Sequence, residues 1–115
     1  MRNGEEHIGA VTLMRFDRPI DRDHSAAIED WADDCLESGQ RSLVLHCGKV
    51  PYFDSIGLES LLGITRRAAS QGARFALVHL NSDCATTLRV TRLEQAIEHF
   101  LTTEGAVRVM RGASA

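Results

Sequence analysis

The sequence predicts an α/β domain: a mostly parallel, mixed sheet of about four or five strands with about four helices packed on it. Short, nearly continuous apolar runs at Ser42 to Cys47 and Arg74 to His79 mark strands buried on both faces. Apolar residues at helical spacing fill the stretches from about Ser25 to Leu36 and Ser55 to Ser70. The connections are short. Strands alternating with helices across short loops imply right-handed crossovers and a parallel sheet covered by helices.

The 115 residues, 43% hydrophobic and 25% charged, suit one domain spanning 1–115, with an ordered core over about 8–110 and a loose tail at 111–115. Met1 to Glu6 is polar and expected to fray, while His7 and Ile8 can begin a short first strand or hairpin arm. Ala10 to Phe16 alternates as a strand, which Asp17-Arg18-Pro19 breaks. Asp21 to Ser25 supplies acidic and capping residues for a helix carrying Ala27, Ile28, Trp31, Ala32, Cys35 and Leu36, stopped by Gly39. Its outer residues, Glu29, Asp30, Asp33, Asp34 and Glu37, read as a solvated face whose first-turn acids suit the helix dipole. A docking surface for a basic partner is the alternative.

After the Ser42 strand and the loop from Gly48 to Phe53, the next helix runs to Ser70 with Leu58, Leu61, Leu62, Thr65, Ala68 and Ala69 on one face, ending at Gln71-Gly72. Asn81-Ser82-Asp83 caps a short helix bearing Ala85, Leu88 and Val90. Ala96 to Leu101 forms a last strand, and Thr102-Thr103-Glu104 caps a final helix through about Met110, leaving Gly112 to Ala115 loose.

Composition excludes several classes of function. A net charge of −3, a pI near 5.9 and a single lysine, Lys49, give no basic footprint for nucleic acid. No apolar run approaches the roughly 20 residues that cross a bilayer, so membrane insertion is not expected. Cys35, Cys47 and Cys84 are odd in number and widely spaced, with no secretory segment, which points to the cytoplasm and to buried thiols.

Chemistry concentrates at Tyr52-Phe53-Asp54-Ser55-Ile56-Gly57-Leu58, where a strand passes into a helix. Ser55 is placed as N-cap, at a helix end that also attracts anions, so a phosphate would suit it. A second stripe, Gly57, Ser60, Ile64 and Arg67, is small near the helix start. It leaves two readings of Gly57: tight packing on the sheet, or open access for another protein. A serine hydrolase needs an adjacent base and a Gly-x-Ser-x-Gly elbow, and Phe53-Asp54-Ser55-Ile56-Gly57 lacks the first glycine. His46, His79 and His99 lie near predicted strand ends without the spacing of a zinc site, and no phosphate-binding loop motif is present. No cofactor, metal or catalysis is expected.

The order of elements and the Asp54-Ser55-Ile56-Gly57-Leu58 segment resemble the STAS domain, the family of bacterial anti-sigma factor antagonists and of the cytoplasmic tails of sulfate transporters. Asp21 before the first helix, and Gln71-Gly72 ahead of the Phe75 strand, are weaker matches. Ile56, where the family is often small or hydroxylated, and Arg18-Pro19, where a glycine is usual, depart from the pattern.

The resemblance implies phosphorylation at Ser55, and docking through Asp21, Asp54, Ser55, Ile56, Gly57, Ser60 and Ile64 on an anti-sigma factor of the serine-kinase type. A phosphoserine phosphatase would reset the switch, and the oligomeric state stays open between monomer and weak dimer. The alternative is a constitutive interaction subunit of a stressosome-type or lipid-transport complex, with Ser55 as a plain cap.

Overall fold

The structure is a computed structural model that describes residues 4–114. It contains the strands β1 (Glu5–Ile8), β2 (Val11–Arg15), β3 (Ser42–His46), β4 (Arg74–Val78) and β5 (Glu98–Phe100). Between and after them come the helices α1 (Ser25–Glu37), α2 (Ser55–Ser70), α3 (Ser82–Val90) and α4 (Thr103–Ser114). The five strands form one sheet in the order β1-β2-β3-β4-β5. Only β1 runs antiparallel, paired with β2 as a hairpin; β2 through β5 are parallel. The expected mixed, mostly parallel α/β architecture is therefore present.

Alternation along each central strand divides the core into two layers, because successive side chains point to opposite faces. Met14, Leu43, Leu45, Phe75 and Leu77 face α1, α2 and α3, with Ile28, Trp31, Leu61 and Leu88 packed among them. Val11, Leu13, Val44, Ala76 and Val78 face α4, through Ala106, Val107 and Met110. Strands buried on both sides explain why the sequence shows continuous apolar runs there rather than alternation.

Several boundaries differ from the sequence expectation. β1 begins at Glu5, within the stretch expected to fray, and β5 covers only Glu98–Phe100. Residues 1–3 lie outside the described residues. No acidic residue occupies the first turn of α1, and its cap is His24, which makes no side-chain capping bond. Asp21 instead serves the turn before it, its carboxylate accepting from the backbone N–H groups of Asp23 and His24, each at 3.1 Å.

Ala27 is exposed. In α3 the buried pair is Cys84 and Leu88 at i, i+4, while Val90 is 70% exposed. α4 continues through Ser114, so 111–114 are helical rather than a loose tail, and Ala115 lies outside the described residues. All three cysteines are buried, as expected, and none is in a disulfide among the described residues. No helix of the described residues is long and apolar enough to cross a membrane.

Candidate functional site

The site is built where two loops meet beyond the carboxyl ends of β2 and β3. Ile20 pairs with Phe53 in an isolated parallel bridge. The Ile20 N–H donates to the Tyr52 carbonyl at 3.1 Å, the Asp54 N–H donates to the Ile20 carbonyl at 3.2 Å, and the Arg22 N–H donates to Asp54 Oδ2 at 3.1 Å. This stitching holds the segment around Asp21 against the start of α2. Ile20 and Phe53 fill the core beneath it, 0% and 6% exposed.

The helix start is displaced by one residue from the expectation. Asp54, not Ser55, is the N-cap: its backbone is extended, and its Oδ1 accepts from the Gly57 N–H at 2.7 Å. Ser55 is the first helical residue, exposed, and its hydroxyl makes no hydrogen bond among the described residues. Ile56 beside it is 38% exposed.

Gly57, Ser60 and Ile64 do not belong to the exposed face. Ile64 is fully buried among residues of the core layer under α1 and α2. Ser60 is 8% exposed, and its hydroxyl donates to Glu29 of α1 at 3.0 Å. A Cβ on Gly57 would lie 1.8 Å from the Ile20 carbonyl oxygen, so this glycine lets the helix lie against the neighbouring loop. The structure shows close packing, as in the first of its two readings, but against the loop at Ile20 rather than on the sheet. α2 packs against α1 and β4, burying Leu58, Leu61 and Ala68 of one stripe and Gly57, Ser60 and Ile64 of the other, while Leu62, Thr65 and Arg67 are half-buried and Ala69, expected on the inner face, is exposed.

The exposed face therefore consists of Ser55, Ile56 and Tyr52, rimmed by carboxylates. Tyr52, 48% exposed, was missing from the sequence-derived set. An aromatic residue in a loop just before the motif was the available signal. Its hydroxyl approaches Asp21 Oδ2 at 3.4 Å. Partial burial, together with the Asp21 carboxylate it faces, pushes the Tyr52 phenol up, with Asp54 and Asp23 adding in the same sense.

Asp21 is itself 9% exposed and contacts His24 Nδ1 at 2.8 Å. Burial alone would raise its carboxyl, but the hydrogen bond and charge of His24 and the two backbone N–H donors hold it below the ordinary carboxylate value. No group of three or more metal-ligating side chains is assembled among the described residues.

These features define a small α/β domain that presents a free serine hydroxyl in the first turn of a helix, on a surface braced by two hydrogen-bonded loops. The chain belongs to the STAS domain family, whose profile matches residues 5–106. Its fold is similar to that of a candidate anti-sigma factor antagonist of Thermotoga maritima, at 22% identity and a TM-score of 0.86, over 93% of this chain and 92% of that one. It is also similar to the Bacillus anti-sigma factor antagonist SpoIIAA in its unphosphorylated form, at 18% identity and a TM-score of 0.72, over 94% and 96% of the two chains. The murine anion transporter Slc26a9 contains a similar unit, at 16% identity and a TM-score of 0.75, over 93% of this chain but 18% of the transporter. No curated protein matches the sequence.

Proposed function

We propose that this protein is a non-enzymatic anti-sigma factor antagonist, acting in the cytoplasm as an interaction module switched by phosphorylation of Ser55. The observation that carries this reading is the placement of Ser55: exposed and unbonded, in the first turn of a 16-residue helix, between the exposed side chains of Tyr52 and Ile56. A kinase can reach such a hydroxyl without unfolding anything. A phosphate there adds about −1.5 to −2 charges, which the positive end of the helix dipole tolerates. The fold survives, while a partner surface fitted to a neutral hydroxyl beside Asp54 meets repulsion and a desolvation penalty. A loss of ~3 kcal/mol weakens binding roughly a hundredfold. The partner is an anti-sigma factor of the serine-kinase type, and a phosphoserine phosphatase restores the binding form.

The test is mass spectrometry of the protein recovered from its own cells, together with a Ser55→Asp variant. Phosphate on Ser55, and an aspartate variant that folds normally but binds its partner more weakly, are expected. Unmodified Ser55 under every growth condition, with unchanged affinity in the variant, refutes the switch.

One observation favours the second reading, a constitutive interaction subunit. Asp54 and Gly57 both have structural duties at the turn, so much of the motif is accounted for without modification. The Ser55→Asp affinity separates the two readings.

A further inference from the structure

At the carboxyl ends of the strands, His46 closes β3 and His79 directly follows β4, and their rings stack, with centroids 4.4 Å apart and planes inclined by 22°. Each ring also accepts a backbone N–H that opens the next segment of chain. His46 Nδ1 accepts from Gly48, at the start of the loop leading to Ser55, at 3.2 Å. His79 Nε2 accepts from Thr103, the first residue of α4, at 3.3 Å. An imidazole nitrogen accepts only when it carries no proton, so these bonds fix both rings as neutral, with the proton on Nε2 of His46 and on Nδ1 of His79.

The backbone is shaped around this pair. His79 has a φ of 59°, in the left-handed region that non-glycine residues seldom adopt. Gly48 lies so close over the first ring that a Cβ there would be 2.7 Å from His46 Cε1.

The surroundings favour the neutral state. From β2, Arg15 sits beside His46 in register and is ion-paired with Glu6 of β1. From α4, the helix N-terminus points its positive end at His79, with the acidic Glu104 one residue further on. Lys49 follows Gly48 in the loop and is exposed. β5 contributes the apolar Phe100 on this face, whereas His99, paired with Leu77, falls on the other. Burial, followed by the neighbouring His79 and Arg15, holds the His46 imidazole below its ordinary value.

We propose that His46 and His79 form a pH-sensitive latch, which at neutral pH fastens the loop over 48–53 and the start of α4 to the strand ends and which protonation releases. A proton on either accepting nitrogen removes the acceptor of Gly48 or Thr103 and sets a cation against its stacked neighbour. The latch stands whether or not Ser55 is modified.

The test is NMR of the labelled full chain. At about pH 7.5, ring nitrogen shifts should show His46 protonated at Nε2 and His79 at Nδ1; the reverse tautomers overturn the proposal. Between about pH 7.5 and pH 5, the Gly48 and Thr103 amide proton resonances should both move upfield, that of Gly48 with a midpoint below the ordinary 6.5 of histidine. In His46→Asn, whose side-chain oxygen can accept from the N–H two residues on without titrating, Gly48 should stay fixed while Thr103 still moves. In His79→Gln the converse is expected. Amide resonances that do not move in the wild type, or that move equally in both variants, overturn it.

Discussion

Replacing Gly57 by alanine sets two physical effects of opposite sign against each other. Within a helix the change is favourable by up to about 1 kcal/mol, because alanine loses less backbone entropy. Here the new Cβ would lie 1.8 Å from the Ile20 oxygen, 2.5 Å from its carbonyl carbon and 3.1 Å from its Cγ2. That carbonyl cannot simply retreat, since it accepts from Asp54 at 3.2 Å and its residue is fully buried. Overpacking of this kind costs about 1–3 kcal/mol, and each loop hydrogen bond lost adds about 1 kcal/mol. After subtracting the helical gain, the expected net loss is about 2–3 kcal/mol, a large share of the 5–15 kcal/mol typical of such domains. It corresponds to a fall in Tm of about 8–12 °C for a chain of this size. Urea and thermal denaturation followed by circular dichroism measure both quantities. A variant as stable as wild type, or more so, would show that the contact between α2 and the Ile20 loop does not constrain the fold.

Two further substitutions probe the same turn. Asp54→Ala removes the cap of Gly57 and the acceptor of the Arg22 N–H, and should lower stability by about 1–2 kcal/mol in urea denaturation, with Asp54→Asn recovering most of it. Asp21 ionises below its ordinary value in the folded state, so its carboxylate contributes stability above about pH 4 that is lost as the pH falls through the folded value. The stability gap between wild type and Asp21→Asn should accordingly narrow as the pH falls below about 4, read as urea midpoints; a gap that stays constant down to about pH 2 counts against the His24 pairing.

The parts legible in the sequence were those fixed by local pattern. Ser42 to His46 and Arg74 to Val78 declare themselves because both faces are buried. The cap of α3, Asn81, was within the three residues named for it. The cap of α2 was harder: Asp54 and Ser55 are both good cap residues, and only the extended backbone of Asp54 decides between them.

Ile64 and Ser60 were misplaced for a longer-range reason. Helical spacing gives two stripes on α2, and only the arrival of α1, which presents Glu29 to Ser60, makes the second an interior surface. Gly57 likewise depends on a partner 37 residues away, Ile20, that no local window contains. The histidines were recognised as strand-end residues, but their stacking follows from β3 and β4 being neighbours in register, which places His46 opposite Val78 and next to His79.

Strand order that follows chain order has a consequence for how the molecule is assembled. Crossovers of one hand put α1, α2 and α3 on the same side, so the first core layer can grow strand by strand as the chain emerges, each unit docking on the one before. The second layer has no such progression. Val11, Leu13, Val44, Ala76 and Val78, gathered from three strands, wait for a single cover, α4, which touches β2, β3, β4 and β5 at once. Synthesis reaches that cover last. Until residues from Thr103 onward are available, the smaller of the two core layers lies bare on the sheet, and the chain in that interval is a natural client for whatever shields apolar surface in the cell.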